Sequence, residues 1–453
     1  MAFIHVFKDY TIYIKSPNNK HILQTNKERK SMRALATIRK VSELKPIEGA
    51  DRIEICMMKG LGWEVVVKKD ELKKDDTVVF FEIDSVLPVE EKYEFLRKSS
   101  YKKWEGKEGT DEGFVLKTVK LKGVVSQGLV LPVSDFPELK DVKEKEDVTE
   151  KLNIRLLDDI KAKYNKGSRA VSGTVQQKKK ERLFPYFIRK TDQERIQNKM
   201  EYFEDLKSVH FVAEQKYDGS STTVFYVNDK KKYKTENNFG VCSRNLLLPK
   251  YGPSKKEILF DIWAQKAKKG KWLKTIKYKI KDTIRFLLKP YKRELSDSNF
   301  WQAINATGVE EALSLYCKKW DMDLALQGET VGPKMNGNRD KYDKLEWYVF
   351  DIFDIREQKY MSAHKRHIII SEINSLISDE TKKIKEVRTL KSNWAVFNDL
   401  SNLHQMLEWV DMLTERGNPQ EGVVFKSLYH EPYTSFKCIN NKYLLAEKES
   451  EEE

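Results

Sequence analysis

The chain reads as an α+β protein in two parts, a small closed barrel of short strands followed by a larger domain of antiparallel sheets flanked by helices. Three observations predict this. Between Ala34 and Pro132, short β-branched and apolar runs alternate with Gly, Pro and Asp at close spacing, the pattern of a small barrel. Beyond Phe184, strand-like runs are interleaved with stretches whose apolar residues recur at helical intervals. The 453 residues are enough to bury a core in each of two or three domains.

Composition narrows the class. The net charge of +14, from 84 basic and 70 acidic residues, favours a polyanionic partner such as nucleic acid, although most of these charges only solvate the surface. No apolar run reaches the length of a membrane span and the N-terminus lacks the apolar core of a signal peptide, so a cytoplasmic or otherwise intracellular protein is expected, with no membrane partner. Cys56, Cys242, Cys317 and Cys438 are scattered without a C-x-x-C pair, which speaks for reduced, buried thiols rather than zinc or disulfides.

Residues 1–31 fit neither part and are set aside as an N-terminal appendage. Residues 32–149 form the barrel, of OB type, with strands expected around Ala34–Ile38, Ile53–Met57, Trp63–Val67, Thr77–Ile83, Thr118–Leu121 and Gly128–Pro132. Lys68, Lys69, Lys73, Lys74, Lys120 and Lys122 sit where they either contact phosphates or keep the barrel soluble. Residues 150–183 are polar, basic and poor in apolar side chains, which predicts a flexible linker. Residues 184–447 make the second domain. Thr191 to Glu194 has the spacing of a capping box, and Ile196, Met200, Phe203 and Leu206 follow at helical intervals, so a helix carrying Arg195 and Gln197 is expected. Residues 254–293 are a lysine- and aromatic-rich insertion whose role the sequence leaves open, and residues 448–453 an acidic tail expected to be disordered.

The rest of the chain is organised around Lys216-Tyr217-Asp218-Gly219-Ser220, a turn between two expected strands. An amine so placed is a nucleophile once burial and neighbouring cations lower its pKa. Gly219 would let the backbone approach a ligand. Asp218 would hold a water or a metal hydration shell. Alone the pattern is unspecific, since most such lysines are solvated turn residues.

In sequence, however, Lys216-Tyr217-Asp218-Gly219, Ser243-Arg244-Asn245, Gly328-Glu329, Phe350-Asp351-Ile352, Glu421-Gly422-Val423-Val424 and Ser435-Phe436-Lys437 resemble the successive motifs of the covalent nucleotidyltransferases. The chain most resembles the ATP-dependent RNA ligases with an N-terminal OB domain, which Pro46 to Asp51, Phe81 to Ser85 and Ser126 to Leu129 also match.

The resemblance implies an ATP-grasp-like nucleotidyltransferase fold for the second domain and an RNA repair reaction. Lys216 would take AMP from ATP, pass it to an RNA 5′-phosphate, and a 3′-hydroxyl would then seal the strand. Lys426 and Lys437 are the expected cations at the phosphate, and Asp218, Glu329 and Glu421 the carboxylates that hold Mg2+ or Mn2+ through water. Phe350 is the expected adenine-stacking face, Gln215 and Glu214 the residues beside the base, and Arg195 and Arg244 the phosphate and ribose contacts. Many family members carry a second lysine where this chain has Ile439, with Lys442 the nearest substitute. Partners would be ATP and RNA, nicked or broken in duplex, for a monomeric enzyme compatible with a viral or phage source. A capping guanylyltransferase or a DNA ligase shares the lysine chemistry but typically places its OB domain after the catalytic one. A non-catalytic RNA-binding protein on the same fold is the alternative of a different class.

Overall fold

Four consecutive residues, Val78 to Phe81, are each no more than 1% exposed, so the strand Thr77–Phe81 is covered on both faces. It lies between Ala36–Pro46 and Leu129–Pro132 in an antiparallel five-stranded sheet that continues through Ile53–Met58 to Glu64–Lys68. Side chains alternate across a strand. Val78 and Phe80 therefore join Val41, Met58, Trp63 and Val65 in one core, whereas Val79 and Phe81 join Ile38, Leu87, Phe114 and Phe136 in another. The first core is that of the expected OB body. The second is closed by a further sheet of Tyr101–Gly106, Gly109–Val115, Ser85–Leu87 and Arg155–Leu156. Part of the stretch read as a flexible linker is thus ordered: Leu157 and Ile160 of the helix Leu157–Tyr164 pack on Val86 and Val115. Few apolar residues suffice there because they fall one helical turn apart on a face that has a partner.

The structure, a computed structural model, describes residues 33–106, 109–164, 183–255, 258, 292–428 and 433–452. The expectations for the appendage 1–31, for residues 165–182 of the linker and for most of the insertion 254–293 lie outside the described residues. The elements discussed here belong to one unit, Leu35–Glu453.

Two sheets build the second domain. In one, Glu194–Arg195, Ser435–Ile439, Gly422–Ser427, Phe211–Lys216 and Thr389–Trp394 lie side by side. In the other, Phe239–Ser243, Ser220–Tyr226, Leu324–Val331 and Glu346–Asp354 do, and the chain crosses between the two at the turn after Lys216. On the first sheet, Phe211, Ala213, Val423, Phe425, Phe436 and Cys438 face a core closed by the helix Leu403–Asp411. The two-residue period then puts Glu214, Lys216, Lys426 and Lys437 on the opposite face. Glu194–Arg195 corrects the expected helix: it is a short parallel strand with Arg195 opposite Lys437, followed by a 3-10 turn, Ile196–Asn198. The sheet edge takes the backbone hydrogen bonds, while Ile196, Phe203 and Leu206 still reach the core that their spacing anticipated.

The OB body is fixed to this domain by polar contacts. Trp63 Nε1 donates to Asn198 Oδ1 at 2.5 Å, Asn198 Nδ2 to Glu82 Oε1 at 2.8 Å, and the Gly62 amide to the Gln197 carbonyl at 2.8 Å. Leu444, on the helix Asn441–Glu452, packs against the barrel core. That helix also takes in most of the acidic tail expected to be disordered, because the Leu, Ala, Glu and Lys residues after Tyr443 are good helix formers and continue an anchored turn.

The Phe425 ring, unexposed and stacked on Phe436 at 4.8 Å, supports the charged face from below. Phe425→Ala should cost about 3–5 kcal/mol. Urea unfolding measures this, and an unchanged midpoint would contradict the packing.

Candidate active site

Lys216 ends its strand opposite Gly422, and its Nζ donates to Glu421 Oε1 at 2.5 Å. Glu329 enters the same space from the second sheet, where it stands opposite Ser221. A Cβ on Gly219 would meet the Thr330 carbonyl oxygen at 2.3 Å and Glu329 Cγ at 3.0 Å. The room expected to admit a ligand is therefore filled by the Glu329 strand, and Gly219 is what lets the nucleophile turn and Glu329 come together. Tyr217 anchors the turn, its ring stacked on Tyr348 at 4.6 Å.

Burial opposes the charge on Lys216, but Glu421, Glu329 and Asp218 outweigh it and hold the pKa above its ordinary value. The expectation that companion lysines drive Lys216 neutral is corrected here. Lys426 is 1% exposed at its side chain and is committed to Asp351 at 2.9 Å, to Glu214 at 3.0 Å and to the Phe350 carbonyl. Lys437 pairs with Asp192 at 3.3 Å and acts on Glu421, where it favours the ionised carboxylate. Burial pushes Glu329 up to about 8; Lys216 pulls it down, while Glu421 and Asp218 add to the rise.

Among the described residues no three His, Cys, Asp or Glu side chains converge tightly enough to ligate a metal directly. The donor set fits a hydrated ion instead. Asp218, Glu329 and Glu421 act on one another, Glu421 Oε2 is buried without a hydrogen-bond partner, and octahedral Mg2+ or Mn2+ retains waters that donate to such oxygens. Sequence reasoning missed the loop beside them. Asn336 donates to Asp218 Oδ1, and Asp340 is pushed up to about 6 by burial, with Asp218 and Glu415 contributing. That loop is polar and aperiodic, so no sequence signal marked it.

Phe350 stands in a β-bulge. Gln327 is opposite Asp351 and Gly328 opposite Val349, which leaves Phe350 as the extra residue of its strand. Its carbonyl accepts from Lys426 and from Arg366. Glu214 shares the face of Lys216; burial works against its ionisation, but Lys426 and Arg366 hold it below the usual carboxylate range. Gln215, expected beside the base, lies on the other face of the strand, and its Nε2 donates to Glu415 at 3.1 Å. Arg195 is buried next to the OB body, 3.4 Å from Asp84 and 5.7 Å from the Trp63 ring. Arg244 is exposed, pairs with Asp158 at 2.9 Å and still acts on Glu329. Lys442 acts on Asp411, at the end of the helix Leu403–Asp411.

This arrangement has known counterparts. An OB-fold domain pattern matches residues 35–133, and the RNA ligase family pattern matches residues 209–439. The chain belongs to the RNA ligase family. A mutant RNA ligase of Naegleria gruberi in its apo form is 30% identical, with a TM-score of 0.66 over 93% of this chain and 100% of that one. The same ligase with PPi gives 30% and 0.65 over 92% and 99%, and a mutant with ATP and Mn gives 29% and 0.64 over 90% and 98%. No curated protein matches. The ligase family pattern spans every motif from Lys216 to Lys437, and the OB-fold pattern covers the turn after Thr77–Phe81 that carries Glu82 and Asp84.

If Glu329 helps to hold the hydrated ion, a proton and a divalent cation compete for it. With that carboxyl pushed up to about 8 by burial, Mn2+ affinity should climb from about pH 6 to about pH 8 and level off above, because the site loses its proton as pH rises. Calorimetric titration across that range checks it. In Glu329→Gln the climb should flatten, and a wild-type affinity independent of pH would contradict the raised carboxyl.

Proposed function

We propose that the chain seals RNA 3′-hydroxyl and 5′-phosphate ends with ATP as AMP donor, in three transfers that pass through Lys216. The observation that carries this is the Lys216 amine held by Glu421 between two sheets, with Glu329 and Asp218 acting on it. The Naegleria ligase, a full-length relative, is known with ATP and Mn and with AMP and Mn.

In the resting site Lys216 carries a proton that Glu421 accepts as a hydrogen bond. Once the amine is neutral, Nζ attacks the α-phosphorus of ATP, the bond to the β-phosphate oxygen breaks, and pyrophosphate leaves a phosphoramidate. An RNA 5′-phosphate oxygen then attacks the same phosphorus, and Lys216 departs with its electron pair and regains a proton. Finally the 3′-hydroxyl attacks the 5′-phosphorus of the adenylylated end and AMP leaves. Each step is an in-line transfer in which positioned cations and donors stabilise charge on phosphate oxygens. Lys437, on the site face two strands from Lys216, is the side chain best placed for this among the predicted cations. A hydrated divalent ion between the carboxylates would supply further positive charge and lower the pKa of the amine. Glu329 and Glu421 would orient the waters of such an ion, and Phe350 would offer a face to adenine.

The substrate is a nicked or broken duplex and the enzyme acts as a monomer. The net charge of +14 supports a polyanionic partner, and Lys68, Lys69, Lys73, Lys74, Lys120 and Lys122 are all exposed on the OB body. No described helix is long and apolar enough to cross a membrane.

With ATP labelled at the α-phosphate, the wild type should form an acid-labile, alkali-stable adduct that Lys216→Ala abolishes together with strand joining. Lys437→Ala should slow adduct formation by about a hundredfold. An adduct that persists in Lys216→Ala refutes the reading, and near-full activity of Lys437→Ala refutes the role given to that lysine.

A further inference from the structure

Arg366 lies on the helix Ala363–Ser375, among Ile369, Ile370 and Ile373, and is 4% exposed. It belongs to none of the motifs that point to ligation. Its guanidinium nevertheless ties four elements together. Nη2 donates to Glu214 Oε1 at 2.5 Å and Nη1 to Glu214 Oε2 at 3.2 Å, a two-pronged grip on the nucleophile strand. Nη1 also donates to the Phe350 carbonyl at 2.5 Å, and Nε to Glu386 Oε2 at 2.9 Å.

A buried ion pair contributes little net stability compared with apolar residues of similar volume. On a helix whose inner face is otherwise alanine and isoleucine, packing alone would be served by another hydrocarbon. What a planar fork of donors adds is fixed geometry. The Phe350 bulge needs that geometry, because the extra residue leaves its carbonyl outside the ladder, and a buried carbonyl without donors favours slipping back into regular register. A slip of one residue would turn Phe350 to the other face of the sheet.

We propose that Arg366 is a positioning residue for the nucleobase of the AMP donor, acting by holding the Phe350 bulge so that the ring faces the site. This rests on the reading above that ATP is the donor. Lys426 is the second donor to the same carbonyl, with its ammonium 5.5 Å from the Phe350 ring centre.

The test compares adduct formation with ATP and with ribose 5-triphosphate, which carries the same polyphosphate without a base. Stacking on an aromatic ring is the contribution at stake, so the ATP preference of the wild type should fall about tenfold or more in R366M. It should fall partly in R366K, which keeps the charge but not the fork. F350A should lose the same preference, and the double variant R366M/F350A should lose no more. Equal losses on both triphosphates, as a merely structural role would give, or an unchanged preference overturns the proposal. If R366M does not fold, R366K carries the comparison and a wild-type preference there overturns it. Failure of the wild type to label with ATP would sink the ATP reading instead, which keeps the two outcomes apart.

Discussion

The alternation of side chains on three neighbouring strands, Phe211–Lys216, Gly422–Ser427 and Ser435–Ile439, is the constraint on which the rest depends. One face is a hydrocarbon core with Phe425 and Phe436 stacked at its centre; the other presents Glu214, Lys216, Lys426 and Lys437. A shift of one residue on any of the three would bury a lysine in the core and expose a phenylalanine. The aromatic packing therefore fixes the register, and the register fixes where each charge stands. The second sheet adds Glu329 across the turn, at a distance that only a glycine at 219 permits.

The charges so placed describe a nucleophile at rest. Lys216 is held protonated by Glu421 with Glu329 and Asp218 behind it, while burial alone would have released the proton. Of the predicted cations, Lys426 is bound to Glu214 and Asp351, and Lys437 pairs with Asp192 and acts on Glu421. Activation thus has to come from something that draws the carboxylates away from the amine, and positive charge arriving among Asp218, Glu329 and Glu421 does so directly. This links the buried, unpaired Oε2 of Glu421 to the readiness of Lys216.

How much of this the sequence disclosed follows from range. The nucleophile turn between two strands and the barrel strands Ile53–Met58, Glu64–Lys68, Thr77–Phe81, Thr118–Leu121 and Leu129–Pro132 are local patterns, and they were legible. Gln215 shows where a motif read along the chain stops: the resemblance placed it beside the base, but adjacent residues of a strand face opposite ways and its amide donates to Glu415. Arg195 was misplaced on a helix because its pairing partner, Lys437, lies far along the chain. Arg366 left no trace, since an arginine among isoleucines on a helix looks like an amphipathic edge until the Phe350 carbonyl and Glu214 are brought to it. The stretches Phe81 to Ser85 and Ser126 to Leu129 matched a subfamily without a reason; the structure supplies one, because Glu82, Asp84 and Gln127 lie where the OB body meets Asn198, Arg195 and Asn441.

Ile439 remains the departure from the family pattern with the most direct consequence. It is opposite Gly422, which is opposite Lys216, so the three form one row across the sheet. A lysine at 439 would act on the nucleophile by repulsion, favouring its neutral form. The buried isoleucine carries no charge and exerts no such repulsion. Lys442 does not restore the missing charge, because it acts on Asp411 at the end of the helix Leu403–Asp411. The row therefore places no cation beside Lys216, which leaves Glu421, Glu329 and Asp218 to hold its proton without opposition from within the row.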